Sequence, residues 1–234
     1  ISLPDKWEYP WYSASDLAFH TIALSLVDND FAKQQLELLL QALYLSPDGQ
    51  MPASEMNFNA VVPPVHAWAA MFLYNSEKAL SGESDIAFLK RVFRKLMSNF
   101  NWWINQKDRF GKNVFEGGFL GLDNISLFDR KEPLPTGGYI EEADGTAWMA
   151  LFCQGMLEMA VELAAKDPSY QEAALKVVDH MMQIASVVNR IGDDGLWDEV
   201  DGFYYDLLRF PDGTSMRLKV RSIIGLLPLC ATTV

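Results

Sequence analysis

The chain has few of the residues that usually build metal sites or disulfide frameworks. Only two cysteines and three histidines occur among its 234 residues. Cys153 and Cys230 each lie in an apolar run, so we expect buried free thiols rather than a disulfide. His20, His66 and His180 are scattered, and no HExxH or comparable metal-ligand spacing occurs. We therefore expect no metal and no other cofactor.

Positive charge and long apolar runs are also scarce. The chain has 19 Lys and Arg against 31 Asp and Glu, a net charge of −12. An acidic surface repels phosphate backbones and anionic lipids, so neither nucleic acid nor a membrane surface is an expected partner. No apolar run reaches the roughly 18 residues of a membrane span. No secretory signal is visible, and we expect a cytoplasmic protein.

Helical periodicity is the main structural signal in the sequence. It is clearest over 85–107, where apolar residues recur at i, i+3, i+4 and i+7. Short turns, with prolines suited to the first helical turn, join the predicted helices into three hairpins. The predicted helices cover 13–27, 29–45, 65–80, 85–107, 143–166 and 168–191.

The remaining segments predict loops and one further helix. The sequence predicts a long glycine-rich loop over residues 108–140 and a small hairpin over 192–217. It also predicts a seventh helix that begins near Ser222. Repeated helical hairpins indicate an all-α, (α/α)6 toroid-type domain over residues 1–234. Six helices do not close such a ring, and apolar faces would stay uncovered. Since the chain opens with Ile1 rather than Met and closes soon after an apolar run, we expect about half of the ring here. The missing C-terminal helices of the same toroid are then its partner.

Four segments combine aromatic and acidic residues. Aromatic faces suit the C–H face of a sugar ring, and carboxylates accept hydrogen bonds from its hydroxyls. Each segment also has a plainer interpretation: aromatics that seal one end of the ring, an Asp-Asn turn, a helix N-cap at Asp144, or a solvated acidic turn. The residues alone leave both interpretations open. The segments are 6–16, 115–124, 137–148 and 196–206.

The glycines of the second segment do not form a phosphate-binding loop. They match neither GxGxxG nor the P-loop pattern, and no predicted strand precedes them. A carboxyl group among Phe, Leu and Gly is partly desolvated, which suits a proton donor. The fourth segment fails the spacing of a calcium loop.

Six stretches, in order along the chain, resemble glycoside hydrolase family 63. The resemblance is greatest to the bacterial branch related to mannosyl-oligosaccharide glucosidase and mannosylglycerate hydrolase. It implies an (α/α)6 toroid and an inverting hydrolase of α-linked glucose or a related sugar, with an oligosaccharide or small glycoside as substrate. The stretches are WEYPWYSASDLAFH (7–20), VDNDFAKQQLELLL (27–40), PPVHAWAA (63–70), NVFEGGFLGLDNISLFDR (113–130), LPTGGYIEEADGTAWMA (134–150) and GLWDEVDGFYYD (195–206).

The resemblance also implies roles for individual residues. Asp123 is similar to the family's general acid, and Asp16 to its sugar-holding aspartate. His66 either reaches the sugar site or packs in the core. No residue matches the family's catalytic base, which lies near the C-terminal end of the toroid, so the isolated chain is expected to be inactive. The candidates for the sugar platform are Trp11, Tyr12, Trp68 and Trp197.

The sequence departs from the family pattern at several positions. Ser15 stands where the family usually has tryptophan, and Ser54, Met56 and Val62 are smaller or less polar than expected. These departures weaken the case for tight sugar binding and leave helical periodicity intact. The alternative is therefore a non-catalytic carbohydrate-binding relative of the same fold. A terpene cyclase, another toroid enzyme, is disfavoured because no DxDD-type run occurs.

Overall fold

The computed structural model describes residues 1–117, 127–128, 130 and 133–231. Six α-helices occur within this part of the chain, close to the predicted positions. A 3-10 helix, Pro168–Tyr170, leads into the last of them, and a second 3-10 helix covers Ile223–Cys230. The α-helices are α1 (Ala14–Ser25), α2 (Asn29–Leu39), α3 (His66–Ser81), α4 (Ile86–Lys107), α5 (Ala143–Ala164) and α6 (Gln171–Val188).

Polar caps fix several of the helix ends. Asp28 accepts a hydrogen bond from the Phe31 amide at the start of α2, and Asp85 accepts one from Phe88 at the start of α4. Such caps satisfy backbone donors that have no partner inside the helix. Gly82 ends α3 with φ of 77°, a left-handed conformation that glycine adopts without strain.

Alternate helices form two layers. Helices α1, α3 and α5 contact one another in order, and the second 3-10 helix continues this inner layer beside α5. Helix α2 packs on α1 and α3, α4 packs on α3 and α5, and α6 packs on α5. This alternation is the arrangement that the periodicity predicts, and it places the core between the layers.

The inner helices approach closely at Gly155 on α5. A Cβ atom there would lie 2.9 Å from the Cβ of Ala67 on α3, which is too close. Small residues on both helices therefore allow close backbone packing. By length and composition α5 could cross a membrane, but 56% of its most apolar 18-residue stretch is buried inside the protein. Its contacts with α3, α4, α6, both 3-10 helices and the strand Asp206–Arg209 make it the central core helix.

A three-stranded antiparallel sheet was not predicted. It is formed by β1 (Tyr139–Glu141), β4 (Asp206–Arg209) and β5 (Ser215–Leu218), in the order β1-β4-β5. Ile140 lies opposite Leu208 in the register, and both are buried with Leu218. Strands this short carry too few residues for a recognisable alternation. Two further strands, β2 (Trp197–Asp198) and β3 (Phe203–Tyr204), form the small hairpin that was predicted.

Two predicted helical segments differ from the structure. Helix α2 ends at Leu39 rather than at residue 45, because the chain turns and brings Tyr44 edge-on to Tyr12, with ring centroids 5.2 Å apart. The expected seventh helix is a 3-10 helix, with Pro228 in its interior. Proline lacks an amide hydrogen and clashes with a preceding carbonyl, so regular α-helix is unfavourable there.

Candidate active site

The N-terminal ends of α1 and α3 are joined by a buried histidine. The Nε2 atom of His66 donates to the Ala14 carbonyl over 2.7 Å, and the side chain is 1% exposed. Burial lowers the pKa of His66 to about 4, so the imidazole is neutral near pH 7. In this structure His66 therefore fixes one inner helix against the next, and its side chain has little room to contact a ligand.

An exposed aromatic surface lies on the inner helices. Phe19 of α1 packs against Trp68 of α3 with centroids 5.6 Å apart, and Trp68 lies 6.5 Å from Phe72. We call these three residues the aromatic patch; each is more than a third exposed. Asp16 is exposed, and it precedes Phe19 by three residues, so both lie on one face of α1. The structure thus brings two predicted sugar-binding residues, Asp16 and Trp68, to one surface.

Tyr12 and Trp11 lie just before α1. Tyr12 is 3% exposed, and burial, with the nearby Glu55 carboxylate, raises its pKa to about 12. Glu55 also accepts a hydrogen bond from the Tyr12 amide. Trp11 is half-buried against Tyr9, with centroids 4.7 Å apart. Tyr12 therefore packs in the core, while Trp11 keeps part of its ring accessible.

Trp197 does not join the aromatic patch in the described part of the chain. Trp197 lies in the β2–β3 hairpin, half-buried against Tyr204 at 4.8 Å. No described ring contact links it to Trp68. Asp123 lies outside the described residues.

A buried group of charges surrounds the start of α5. Arg130 donates through Nη1 to both oxygens of Asp144, at 2.8 and 2.7 Å, and through Nη2 to Asp206 at 2.6 Å. The Glu142 carboxylate lies 3.7 Å from Arg130, and all four side chains are almost inaccessible to solvent. We call Arg130, Glu142, Asp144 and Asp206 the charged cluster. It ties the first turn of α5 to strand β4, where Asp206 also accepts from the Ala143 amide.

The prediction that Asp144 caps α5 is wrong. The N-cap position is Glu142, which makes no side-chain cap, and Asp144 lies inside the first turn. Its carboxylate instead accepts from Arg130 and from the Gly145 amide. In the pair with Arg130 both partners are charged, whereas a cap would join the carboxylate to a neutral amide, so the ion pair is favoured.

The charged cluster contains more acid than base. Burial raises the pKa of Glu142 to about 8; Arg130 opposes this shift, and Asp144 and Asp206 add to it. Burial likewise raises the pKa of Asp206. Burial and the two neighbouring carboxylates therefore favour the neutral form of Glu142.

A cavity of about 220 Å³ lies beside the charged cluster. Arg109 forms an ion pair with Glu116 at 2.8 Å, and its guanidinium lies 5.1 Å from the centre of the Tyr139 ring. Burial lowers the pKa of Lys107. Donors and acceptors around an aromatic wall suit a hydroxylated ligand. The cavity is lined by Lys107, Arg109, Glu116, Arg130, Tyr139 and Glu142, among others.

The sequence analysis missed this cavity and the charged cluster. Their members come from the end of α4, from the long loop, from the start of α5 and from β4, so no local motif contains all of them. The pair Glu141-Glu142 just before a helix was the one available signal. Within the described residues, no group of three or more His, Cys, Asp or Glu side chains is arranged to hold a metal ion.

The comparison with known proteins agrees with the helical layers. Residues 9–120 match the family described as the mannosylglycerate hydrolase MGH1-like glycoside hydrolase domain. An uncharacterised protein of Saccharomyces cerevisiae is 48% identical over 245 residues, covering 99% of this chain. The chain spans 22% of the length of that relative.

Two solved structures of a glycoside hydrolase family 63 mannosylglycerate hydrolase from Thermus thermophilus share the fold. The complex with glucose has a TM-score of 0.75 at 19% identity, over 99% of this chain and 67% of its own. The complex with Tris and D-glycerate has a TM-score of 0.74 at 17% identity, over 99% and 69%. The fold is therefore the toroid-type helical fold of these enzymes. The match over residues 9–120 and the shared fold support a GH63-like family assignment.

Proposed function

We propose that the protein containing this chain is an inverting glycoside hydrolase. Its substrate is α-linked glucose or a related sugar within an oligosaccharide or small glycoside. The observation that carries the proposal is the surface shared by Asp16 and the aromatic patch on the inner helices. A sugar ring stacks its C–H face on an indole, while a neighbouring carboxylate accepts hydrogen bonds from its hydroxyls.

The sugar contacts divide into direct and supporting ones. Asp16 and Trp68 contact the sugar, and Trp11 and Trp197 offer partly accessible rings. Tyr12 and His66 are buried, so we assign them to holding the ends of the inner helices in place. This division rests on exposure, since a buried side chain does not meet a ligand without a local rearrangement.

The chemistry requires a proton donor and a base. In an inverting glycosidase the two carboxyl groups lie roughly 6.5–9.5 Å apart, which leaves room for the attacking water. We assign proton donation to Asp123 and expect the base in the rest of the toroid, C-terminal to this chain. The chain alone is then inactive. The fold relative crystallised with glucose and with D-glycerate supports a small sugar substrate.

The test uses the full-length protein that contains this chain. Asp123→Asn should lower kcat by about 100-fold or more, because general acid catalysis contributes roughly 10²–10⁴-fold. The matched control is Asp48→Asn, in an exposed turn where Asp48 accepts from the Gln50 amide. Hydrolysis of α-glucosides and of mannosylglycerate is followed by NMR, which also reports the product anomer. Unchanged turnover in Asp123→Asn contradicts the acid assignment, and retention of the anomer contradicts inversion.

The second candidate is a non-catalytic carbohydrate-binding relative. It is favoured because three described carboxylates at or beside the cavity are held in ion pairs. Arg109 binds Glu116, and Arg130 binds Asp144 and Asp206. None of them is therefore placed to activate a water. Calorimetry with gluco- and manno-oligosaccharides separates the two functions: heat of binding without turnover supports the second one.

A further inference from the structure

One wall of the cavity beside the charged cluster is a loop held by its own hydrogen bonds. The loop runs from Lys107 to Glu116 and is closed by a bond from the Glu116 amide to the Lys107 carbonyl over 2.9 Å. Within it, Asp108 accepts hydrogen bonds from the Lys112 and Asn113 amides, at 2.9 and 2.7 Å. The wall is therefore preformed, as is usual for a ligand site.

Asn113 fastens the same loop to helix α6. Its φ of 58° is a left-handed conformation that asparagine adopts more readily than most residues. Its side-chain amide donates to Gln183 Oε1 over 2.6 Å, and its Oδ1 lies 3.2 Å from His180 Nδ1. Because the wall is already ordered by these bonds, a ligand that binds against it has little conformational freedom to remove.

Polar groups of both kinds line the cavity together with an aromatic ring. Lys107 is a hydrogen-bond donor, Glu116 is an acceptor, and a neutral Glu142 can serve as either. Tyr139, half-buried in β1, supplies the ring. The volume of about 220 Å³ is below the roughly 300–1,000 Å³ of pockets for drug-sized ligands. The cavity therefore suits one small hydroxylated ring.

The charges around the cavity cancel. Arg109 pairs with Glu116 at 2.8 Å, so these two contribute no net charge. The charged cluster carries one net negative charge when Glu142 is neutral, since Arg130 balances only one of its two ionised carboxylates. Lys107 makes no ion pair with the carboxylates in the described ranges, and its ammonium supplies the balancing positive charge.

We propose that this cavity binds one neutral sugar ring of the substrate and discriminates against sugar acids. This inference rests on the proposed function, because the ring is one unit of the glycoside that the enzyme cleaves. Neutral hydroxyls exchange hydrogen bonds with Lys107, Glu116 and Glu142 without adding charge. A carboxylate in the same place would lose its hydration and leave the cavity with a net negative charge, which is unfavourable.

The test compares methyl α-glucoside with methyl α-glucuronide, which differ only in the group at one carbon atom. In calorimetric titration of the full-length protein, the wild type should bind the glucoside at least tenfold more tightly. Glu116→Gln keeps an acceptor oxygen but leaves Arg109 without its partner, so the cavity gains a positive charge. The affinity for the glucuronide should then rise about tenfold, while that for the glucoside changes little.

Glu37→Gln is the matched control. Glu37 accepts a hydrogen bond from Arg91 over 2.6 Å, and these side chains are 27% and 51% exposed, against 23% and 51% for Glu116 and Arg109. The variant changes the net charge equally, but Glu37 lies on α2, outside the cavity. Its ratio of glucoside to glucuronide affinity should equal that of the wild type. An equal change of this ratio in both variants, or a wild type that binds the glucuronide as tightly as the glucoside, overturns the proposal.

Hydrogen exchange locates the binding site without measuring turnover. The glucoside should slow exchange of the peptide 107–117, and Lys107→Met, which removes a charged donor, should weaken its binding about tenfold. Unchanged exchange of this peptide at saturating glucoside overturns the proposal. If the wild-type protein cleaves no glycoside, the proposed function fails, whereas protection of 107–117 by the glucoside still supports the cavity as a sugar site.

Discussion

At the residue scale, Glu142 combines two properties that seldom occur together. It binds the Gly117 amide, and it shares a buried site with Asp144, Asp206 and Arg130. Because burial and like charges favour its neutral form, proton binding at this position is coupled to folding. Lys107 and Glu116 line the cavity that adjoins the same carboxyl group.

The coupling predicts a pH dependence of stability. The pKa of Glu142 rises from 4.5 when unfolded to about 8 when folded. Between these values the folded state binds more protons than the unfolded state, so stability should fall as the pH rises from 4.5 towards 8. Denaturant unfolding across this range measures the slope, and Glu142→Gln should flatten it. An identical slope in that variant contradicts the assignment of the proton to Glu142.

At the element scale, the helices follow from the sequence and the sheet does not. Helix α4 has a long apolar stripe and an Asp85 cap, which are local signals that settle its position. Strand β1 has three residues, and its partner β4 begins 65 positions after β1 ends. Strand β1 pairs with β4 because this pairing buries Ile140. That burial depends on the completed fold, so local sequence does not predict the pairing.

The closeness of α3 and α5 gives a second prediction. Gly155→Ala forces a methyl group against Ala67, so the helices must separate or strain. Overpacking of this kind typically costs about 1–3 kcal/mol. Thermal or denaturant unfolding measures the loss, with Arg94→Ala, at an exposed position on α4, as the control. A Gly155→Ala variant as stable as the wild type means that the helices adjust freely.

At the scale of the whole molecule, the candidate site can be predicted only in part from the sequence. Asp16 and Trp68 come from helix starts that the periodicity locates, so their common face follows once α1 and α3 are adjacent. The sequence left the burial of Tyr12 and His66 open, because an aromatic ring near a helix start serves a core and a sugar site equally well. The charged cluster depends on contacts across 76 positions, from Arg130 to Asp206.

The aromatic patch gives a prediction at this scale. In the full-length protein, Trp68→Ala should weaken saccharide binding about tenfold, which corresponds to about 1.4 kcal/mol of lost stacking. Trp7→Ala is the matched control, since Trp7 is 80% exposed and outside the patch. Calorimetric titration with a gluco-oligosaccharide compares the two. Equal affinities of the Trp68→Ala and Trp7→Ala variants argue against sugar contact at the patch.

The ion pair between Arg130 and Asp206 also affects where a protease can cleave the chain and leave a stable fragment. Cleavage anywhere between Arg130 and Asp206 would remove the covalent link between the guanidinium and one of its anionic partners, which is also the acceptor of the Ala143 amide. We therefore expect the helices and the small sheet to unfold together. Limited proteolysis should accordingly release no stable helical core that ends before residue 206.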